Sequence, residues 1–196
     1  MSFRLGEGAL NNLFFEARTY HYFINKPVED VLIKELYDLF KWGPTAFNSQ
    51  PSRYLFLKTA DAKKRLEPAI SSSNKEKTVQ APLTVIIAYD TQFFEHLPKL
   101  TASPTAKSLF EDNPHIVEPT LLKNSSLQIG YLVTAARSLG LDVGVLTGFN
   151  ADAINLEFFP DGRFKVNMIA NIGYGDKTKL NPRGYRFSFD EVAEIL

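Results

Sequence analysis

The chain contains no cysteine, and this absence excludes several classes of chemistry. Disulfides, thiolate nucleophiles, cysteine-ligated zinc and iron–sulfur clusters all depend on that residue. Only three histidines are present, His21, His96 and His115, and they are too scattered for a His-x-x-x-His metal site. We therefore expect no metal, and we expect His96 and His115 to lie on the surface or on a lid.

Net charge is also absent, because 22 Lys and Arg balance 22 Asp and Glu. A balanced chain has no general electrostatic attraction to nucleic acid or to an anionic membrane. No apolar run reaches transmembrane length, and residues 1–4 lack the pattern of a signal peptide. These features predict a cytoplasmic protein whose partners include neither nucleic acid nor membrane.

The familiar catalytic and nucleotide-binding motifs are missing as well. There is no Gly-x-Gly-x-x-Gly fingerprint, no Walker loop and no Gly-x-Ser-x-Gly elbow. An enzyme without a nucleophile, a metal or an evident acid–base pair needs a cofactor for the difficult chemistry. We therefore assign no catalytic side chain.

Hydrophobic periodicity predicts helices and strands that do not alternate strictly, which is typical of an α+β fold. We expect a single domain, 1–196, with a long interior helix and an irregular excursion or lid at about 91–119. The predicted helices are 8–17, 27–41, one from Asp61, part of 71–82, 120–139, 152–158 and a short one after Ser188. The predicted strands are 54–57, 83–88, 141–146 and 164–172.

One loop, residues 42–51, stands out between the second predicted helix and the first predicted strand. Pro44 and Pro51 prevent a helix there, since proline lacks an N–H and disfavours helical geometry in the residue before it. Between them lie Thr45, Asn48 and Gln50, whose side chains form hydrogen bonds. Binding groups concentrate on loops that a rigid scaffold holds, although a solvated turn has the same composition.

Other polar residues occur in small groups at the ends of predicted elements. Each of them taken singly is typical of a solvated surface. The groups are Arg18, Thr19 and His21; Asn74 and Lys77; Thr147 and Gly148; Arg183 and Arg186.

Taken in order, these groups and the loop resemble the motifs of the FMN-dependent nitroreductase family over nearly the whole chain. The resemblance is carried by Arg18-Thr19, by the loop 44–51, by Asn124-Ser125-Ser126-Leu127-Gln128, by Thr147-Gly148-Phe149, by Gly173-Tyr174-Gly175, and by Arg183 with Arg186. Three positions depart from the wider family: His21 replaces an arginine, Ser52 a tryptophan and Gly175 a proline.

Within the family, the chain is most similar to the malonic semialdehyde reductases. That subgroup shares Gly175, and it also shares several longer motifs with this chain. They are Ala-Arg-Thr, Lys-Trp-Gly-Pro-Thr, Ser-x-Asn-x-x-Lys-Thr, Asn-Ser-Ser-x-Gln and Asn-Ile-Gly-Tyr-Gly-Asp.

The resemblance implies a nitroreductase-like fold with a central mixed β-sheet flanked by helices, in a homodimer with FMN at the interface. NADH or NADPH would pass hydride to flavin N5, and malonic semialdehyde would take it to become 3-hydroxypropionate. A broad nitroreductase or quinone reductase, and a non-catalytic flavin-binding module, are the alternatives. The implied FMN-binding residues are Arg18, Thr19, His21, Asn48, Gln50, Asn74, Lys77, Thr147, Gly148, Arg183 and Arg186.

Overall fold

The computed structural model describes residues 3–196 and has a four-stranded sheet with helices on both faces, which confirms the α+β prediction. Met1 and Ser2 lie outside the described residues. Two predictions include them: the single domain 1–196, and the absence of a signal-peptide pattern in residues 1–4. The strands are β1 (Ser52–Leu57), β2 (Leu83–Asp90), β3 (Asp142–Leu146) and β4 (Phe164–Gly173). The α-helices of residues 3–196 are α1 (Glu7–Leu10), α2 (Asp30–Phe40), α3 (Ala60–Leu66), α4 (Ser72–Gln80), α5 (Leu97–Leu100), α6 (Ala106–Glu111), α7 (Val117–Ser138), α8 (Ala151–Phe158) and α9 (Phe189–Val192).

The four strands lie in the order β1-β2-β4-β3, and every neighbouring pair is antiparallel. The prediction of a mixed sheet is therefore wrong for these four strands. Among residues 3–196 the only parallel pairing is an isolated bridge between Thr19 and Val143. β2 is buried at all eight positions, as its continuous apolar run indicated. Such runs are typical of parallel sheets, but here helices cover both faces of an antiparallel sheet.

Two hydrophobic cores lie on opposite faces of the sheet. Val85 and Ile87 of β2 pack with α2 and α7, where Leu132 is fully buried. The intervening Ile86 packs on the other face with residues of α3 and α8, including Ile154. Successive strand residues point to opposite faces, so one strand serves both cores.

The long helix α7 confirms the predicted central helix and spans 22 residues. One side of it is buried, and that side carries three polar residues, Asn124, Ser125 and Gln128. The other side exposes Leu127 and Tyr131, which are 45% and 40% accessible. In a single chain, therefore, only one face of α7 is buried, whereas the sequence predicted a helix buried on almost all sides.

Some helix ends differ from the prediction. The predicted helix 8–17 is the short α1 followed by a π-helical turn, Asn11–Phe15, and neither has a buried residue. Thr59 rather than Asp61 caps α3, because its Oγ1 accepts a hydrogen bond from the backbone N–H of Ala62 at 3.2 Å. None of the helices in residues 3–196 is both long and apolar enough to cross a membrane.

Residues 91–116 form a helical excursion with a small core of its own. Besides α5 and α6 it contains two short 3-10 helices, Phe93–His96 and Pro114–Ile116. Phe93 and Phe110 are buried at its centre, with ring centroids 4.8 Å apart. A cluster of buried aromatic side chains holds the excursion together, and its role as a lid stays a prediction.

A buried carboxylate at the end of β2 holds the base of this excursion. Asp90 accepts hydrogen bonds from Arg53 at 2.7 Å and from Arg163 at 3.0 Å, and the His96 ring nitrogen lies 3.2 Å away. Burial raises the pKa of Asp90, but the hydrogen bond from Arg163, the Gln92 amide and the arginine charges outweigh it and hold the pKa below its usual value. Asp90 thus stays ionised and joins the excursion to the sheet.

The stability of the fold should depend on the buried amine of Lys63. This side chain is only 7% exposed, and its Nζ donates one long hydrogen bond, 3.4 Å, to the Val79 carbonyl. Burial lowers the pKa of Lys63 to about 8, so below pH 8 the folded state carries a poorly solvated charge. We expect Lys63→Met to raise the free energy of unfolding at pH 7 by roughly 1–3 kcal/mol.

Urea denaturation from pH 7 to pH 10.5 checks this expectation. The wild-type protein should gain stability as the pH rises through 8 towards 10.5, because the lysine then loses its proton in the folded state first. Lys63→Met should lack this rise, and the exposed Lys64→Met should behave as the wild type. A constant difference between Lys63→Met and the wild type across this range would contradict the assignment.

Candidate functional site

The N-terminal segment around Thr19 lies along the outer edge of β3. Thr19 bridges Val143, and the N–H of Tyr20 donates to the Val143 carbonyl at 3.3 Å. Side chains alternate along an extended segment, so Thr19 and His21 point outward and are exposed, whereas Tyr20 points inward and is 6% exposed. The edge of the sheet therefore sets the direction of both outward side chains.

Two glycines make room for Tyr20. A Cβ on Gly144 would lie 2.2 Å from the Tyr20 carbonyl oxygen, and a Cβ on Gly175 would lie 2.2 Å from the Tyr20 ring. Burial and the nearby carboxylate of Asp142 raise the pKa of Tyr20, which keeps the buried phenol neutral. The glycine at 175, where the wider family has proline, is explained by the ring that packs against it.

A groove with many positive charges opens beside this segment, and we call it the cationic groove. Its volume is about 220 Å³, and it brings together five of the residues predicted to bind FMN. Those five are Arg18, Thr19, His21, Arg183 and Arg186, and Arg137, Asp176 and Lys179 also line it. A groove with this excess of positive charge is suited to an anion.

The arginines of the cationic groove join the two ends of the chain. Arg18 donates a hydrogen bond to the carbonyl of Asn181, and Arg183 donates to the carbonyl of Phe15 at 2.7 Å. Arg186 donates to carbonyls of its own segment. A guanidinium group has five N–H donors, so each arginine retains donors for a ligand.

Arg137 is a groove residue that the sequence analysis missed. It comes from the last turn of α7 and donates to the Leu13 carbonyl at 3.0 Å, while its Nε is buried without a partner in residues 3–196. Burial lowers the pKa of Arg137; Asp142 opposes this effect and the charge of Arg183 adds to it. The signal that could have indicated Arg137 is a charged side chain in the otherwise apolar second half of α7.

The turn at Thr147 and Gly148 lies against the start of α4. Asn74 donates from Nδ2 to the Gly148 carbonyl at 3.4 Å and accepts on Oδ1 from Lys77 at 3.1 Å. A Cβ on Gly148 would lie 2.4 Å from the Asn74 amide nitrogen, so the amide fills the space that the missing side chain leaves. The turn directly follows β3, the strand that Thr19 bridges at Val143, so the turn and the cationic groove border the same edge strand. Burial and the charge of Lys77 lower the pKa of His21.

The loop predicted to be central has a strained backbone. Phe47, Asn48 and Gln50 have φ angles of 56°, 51° and 41°, in the left-handed region that residues other than glycine rarely adopt. Strain of this kind costs of order 1–3 kcal/mol per residue and is concentrated at functional sites. The strain therefore supports a functional role for this loop.

The buried polar face of α7 holds the loop in place. Asn124 accepts a hydrogen bond on Oδ1 from the N–H of Ala46 at 2.7 Å, and Gln128 accepts on Oε1 from the N–H of Ser52 at 3.1 Å. The Ser52 and Ser125 hydroxyl oxygens lie 3.0 Å apart. The Asn-Ser-Ser-x-Gln motif thus fixes the loop at both ends.

Asn48 and Gln50 do not line the cationic groove. The Asn48 amide donates to the carbonyl of Leu100 in the excursion at 2.9 Å, and the Gln50 amide donates to Asn48 at 3.0 Å. Gln50 lines a separate cavity of about 250 Å³, together with Tyr54 and Gln128. A single chain therefore presents two groups of predicted site residues, and it does not gather them into one cleft.

No metal centre emerges from the described part of the chain. Residues 3–196 contain no cluster of three or more His, Asp or Glu side chains that could hold a metal ion. The absence of a bound metal from this protein stays a prediction.

The packing of the Tyr20 ring against Gly175 leads to a testable expectation. In Gly175→Ala the new methyl group would overlap the Tyr20 ring, so the ring and the segment carrying Thr19 and His21 must move. We expect a loss of about 1–3 kcal/mol in the free energy of unfolding, which is typical of overpacking. Gly8→Ala is the control, since a Cβ there meets nothing within 4 Å. Chemical denaturation measures both, and equal stability of the two variants would contradict the packing.

Comparison with known proteins agrees with this architecture. The nitroreductase family model matches residues 16–174. A Ralstonia nicotianae protein named as a candidate NADH dehydrogenase/NAD(P)H nitroreductase is 52% identical over 192 residues and covers 98% of each chain. A Rhodopseudomonas palustris protein with the same name is 46% identical over the full length of both chains.

Solved structures show the same fold at low sequence identity. A Bacillus subtilis nitroreductase candidate superposes with a TM-score of 0.86 at 23% identity, over 97% of this chain and 100% of that one. A candidate nitroreductase from Exiguobacterium sibiricum, solved in complex with FMN, has a TM-score of 0.85 at 17% identity over the whole of both chains. The family model, the close relatives and the fold lead to one conclusion: this chain belongs to the nitroreductase family.

Proposed function

We propose that the protein is an FMN-dependent NAD(P)H oxidoreductase. The observation that carries this function is the cationic groove beside β3, the edge strand that the Asn74–Gly148 turn directly follows. Arginine guanidinium groups suit bidentate contact with phosphate oxygens, and an amide matches the carbonyls and nitrogens of a flavin ring. The residues present therefore fit a planar ring system that ends in a phosphate.

Each predicted residue has a role in this assignment. Arg18, Arg183 and Arg186 would hold the phosphate with the help of the Thr19 hydroxyl and Lys77, and His21 lines the same groove. Asn74, Thr147 and Gly148 orient the ring. When bound, FMN supplies hydride transfer at N5 between NADH or NADPH and the acceptor, so the side chains position the ligands and the chain needs no nucleophile of its own.

The separation of Asn48 and Gln50 from the groove favours a homodimer, in which these residues of a second copy complete the ring end of each site. Two exposed apolar surfaces support this arrangement. Leu127 and Tyr131 on α7 form one of them, beside Trp42, which is 78% exposed. The other is the C-terminal arm, residues 181–196, in which every residue is exposed. Apolar area of this extent on a single chain is typical of an interaction surface.

For the acceptor we propose malonic semialdehyde, reduced to 3-hydroxypropionate. The support is the series of motifs shared with the malonic semialdehyde reductases, which runs from Ala17-Arg18-Thr19 to Asn171-Ile172-Gly173-Tyr174-Gly175-Asp176. The names of the relatives, which include NAD(P)H nitroreductase, favour a nitroreductase of broad specificity equally, and a quinone reductase is a variant of this second candidate. A flavin-binding module without turnover is the third, and only the departures at His21 and Ser52 speak for it.

The proposed function is tested on the purified protein with its flavin. We expect a yellow protein whose flavin absorbance bleaches with NADH or NADPH and returns on addition of an acceptor. Malonic semialdehyde, a nitroaromatic compound and a quinone, assayed in parallel, separate the acceptor candidates by kcat/KM. Protein that stays colourless after incubation with FMN would refute the function, and bound flavin that neither donor reduces would identify a binding module.

The phosphate assignment predicts a loss of flavin affinity in groove variants. Arg18→Ala and Arg186→Ala each remove a charge-assisted contact of roughly 1.5–3 kcal/mol. The dissociation constant for FMN should rise at least about tenfold, at about 1.4 kcal/mol per decade. Arg65→Ala is the matched control, because Arg65 pairs with Glu157 on the surface outside the groove. Fluorescence titration measures all three, and unchanged affinity in both groove variants would show that the phosphate binds elsewhere.

The C-terminal arm gives a prediction for assembly. Phe187 and Phe189 are exposed on one chain, and we expect them to be buried by the second copy. The double variant Phe187→Ser with Phe189→Ser should shift the protein from dimer to monomer in light scattering. Asp190→Ser with Glu194→Ser changes the same arm without removing apolar area and should stay dimeric. A wild-type monomer at all concentrations would rule out the arrangement.

A further inference from the structure

We propose that His21 takes up a proton when the phosphate of FMN binds, so that the protein holds its cofactor less tightly as the pH rises. This inference rests on the proposed function and adds a property to its phosphate site. It concerns the one position of the groove where a titrating side chain stands in place of the arginine of the wider family.

The position of His21 is fixed by the segment that precedes it. The bridge of Thr19 to β3 and the burial of Tyr20 fix the backbone on the N-terminal side of His21, so its imidazole faces the cationic groove. Imidazole is the side chain whose ordinary pKa lies closest to neutral pH. A small change of the local field at this position therefore changes its charge under physiological conditions.

Most of the charged side chains around His21 are positive. Arg18 lies on the same segment, Lys77 on α4, Arg137 on α7, and Lys179, Arg183 and Arg186 on the C-terminal segments. Asp176 is the single carboxylate lining the groove, and it already accepts hydrogen bonds from Thr178. The phenol rings of Tyr20 and Tyr22 also belong to the lining residues. The positive side chains of the groove disfavour the imidazolium form, and burial followed by the charge of Lys77 lowers the pKa of His21.

A phosphate dianion in the groove reverses the sign of that field. An opposite charge within about 4–6 Å raises the pKa of a histidine by roughly 1–3 units. Between the pKa of the free protein and that of the complex, binding takes up close to one proton. In that range affinity falls by up to about tenfold per pH unit, and above the pKa of the complex the histidine is neutral in both states, so affinity no longer changes with pH.

The phosphate group itself titrates near pH 6, and its effect has the opposite sign. Below that pH the ligand carries one charge less and binds more weakly. The range from pH 7 to pH 9.5 isolates the histidine, because the phosphate is a dianion throughout. Riboflavin, which has the same ring and no phosphate, serves as the ligand that should cause no proton uptake.

Nuclear magnetic resonance measures the effect directly, because the chain has only three histidines. The His21 imidazole signal is assigned by its disappearance in His21→Gln and titrated in the free protein and with saturating FMN. We expect its pKa to be raised by at least one unit in the complex, whereas FMN should leave the signal of His115, on the excursion, unchanged. Calorimetry of FMN binding in buffers of different ionisation enthalpy should report proton uptake at pH 7.5.

Variants separate the charge of His21 from its packing. His21→Arg carries a permanent charge, so its affinity for FMN should stay nearly constant from pH 7 to pH 9.5, without proton uptake. His21→Gln should bind about tenfold more weakly than the wild type at pH 7 and equally at pH 9.5. His115→Gln should reproduce the wild-type profile.

Tight FMN binding with an unmoved His21 pKa, or a pH profile shared by the wild type and His21→Arg, would overturn this inference and leave the proposed function standing. No binding of FMN to any variant or to the wild type at any pH would overturn the proposed function, and this inference with it.

Discussion

The packing of Tyr20 against the edge of the sheet is the contact on which the candidate site depends. Its backbone pairs with Val143, its carbonyl group fills the space that Gly144 leaves open, and its ring fills the space beside Gly175. Because neighbouring residues of an extended segment point in opposite directions, burial of this one ring turns Thr19 and His21 towards the groove. A short chain segment thus obtains a fixed orientation from a packed aromatic side chain rather than from a long hydrogen-bonded strand.

The loop at 45–50 obtains its order in a different way, from polar contacts inside the protein. The positive φ angles of Phe47, Asn48 and Gln50 are unfavourable, and besides the polar contacts the Phe47 ring packs edge-to-face against Phe110, with ring centroids 5.8 Å apart. The hydrogen bonds that the backbone amides of Ala46 and Ser52 donate to the buried face of α7 contribute of order 1 kcal/mol each, and a buried amide without a partner would cost more. Asn124 and Gln128 therefore hold the loop, and the loop in turn provides hydrogen-bond donors for their buried side-chain oxygens.

These two arrangements explain which parts of the molecule the sequence could predict. Periodicity located the four strands and the main helices, because apolar faces leave a local pattern. The antiparallel pairing of the strands was missed, since the burial of β2 on both faces has the same sequence pattern in either type of sheet. The family motifs named the groove residues, but Arg137 and Tyr20 belong to no local pattern. Their roles depend on contacts between residues more than a hundred positions apart, such as Tyr20 with Gly144.

The concentration of positive charge in the groove has an energetic consequence for the ends of the chain. Like charges within one groove repel each other, and here the carbonyls of Phe15 and Asn181 accept hydrogen bonds from the opposing arginines. These bonds hold the N-terminal and C-terminal segments together across the groove while the repulsion pushes them apart. An anion would remove the repulsion and leave the carbonyl contacts in place, since each guanidinium has donors for both.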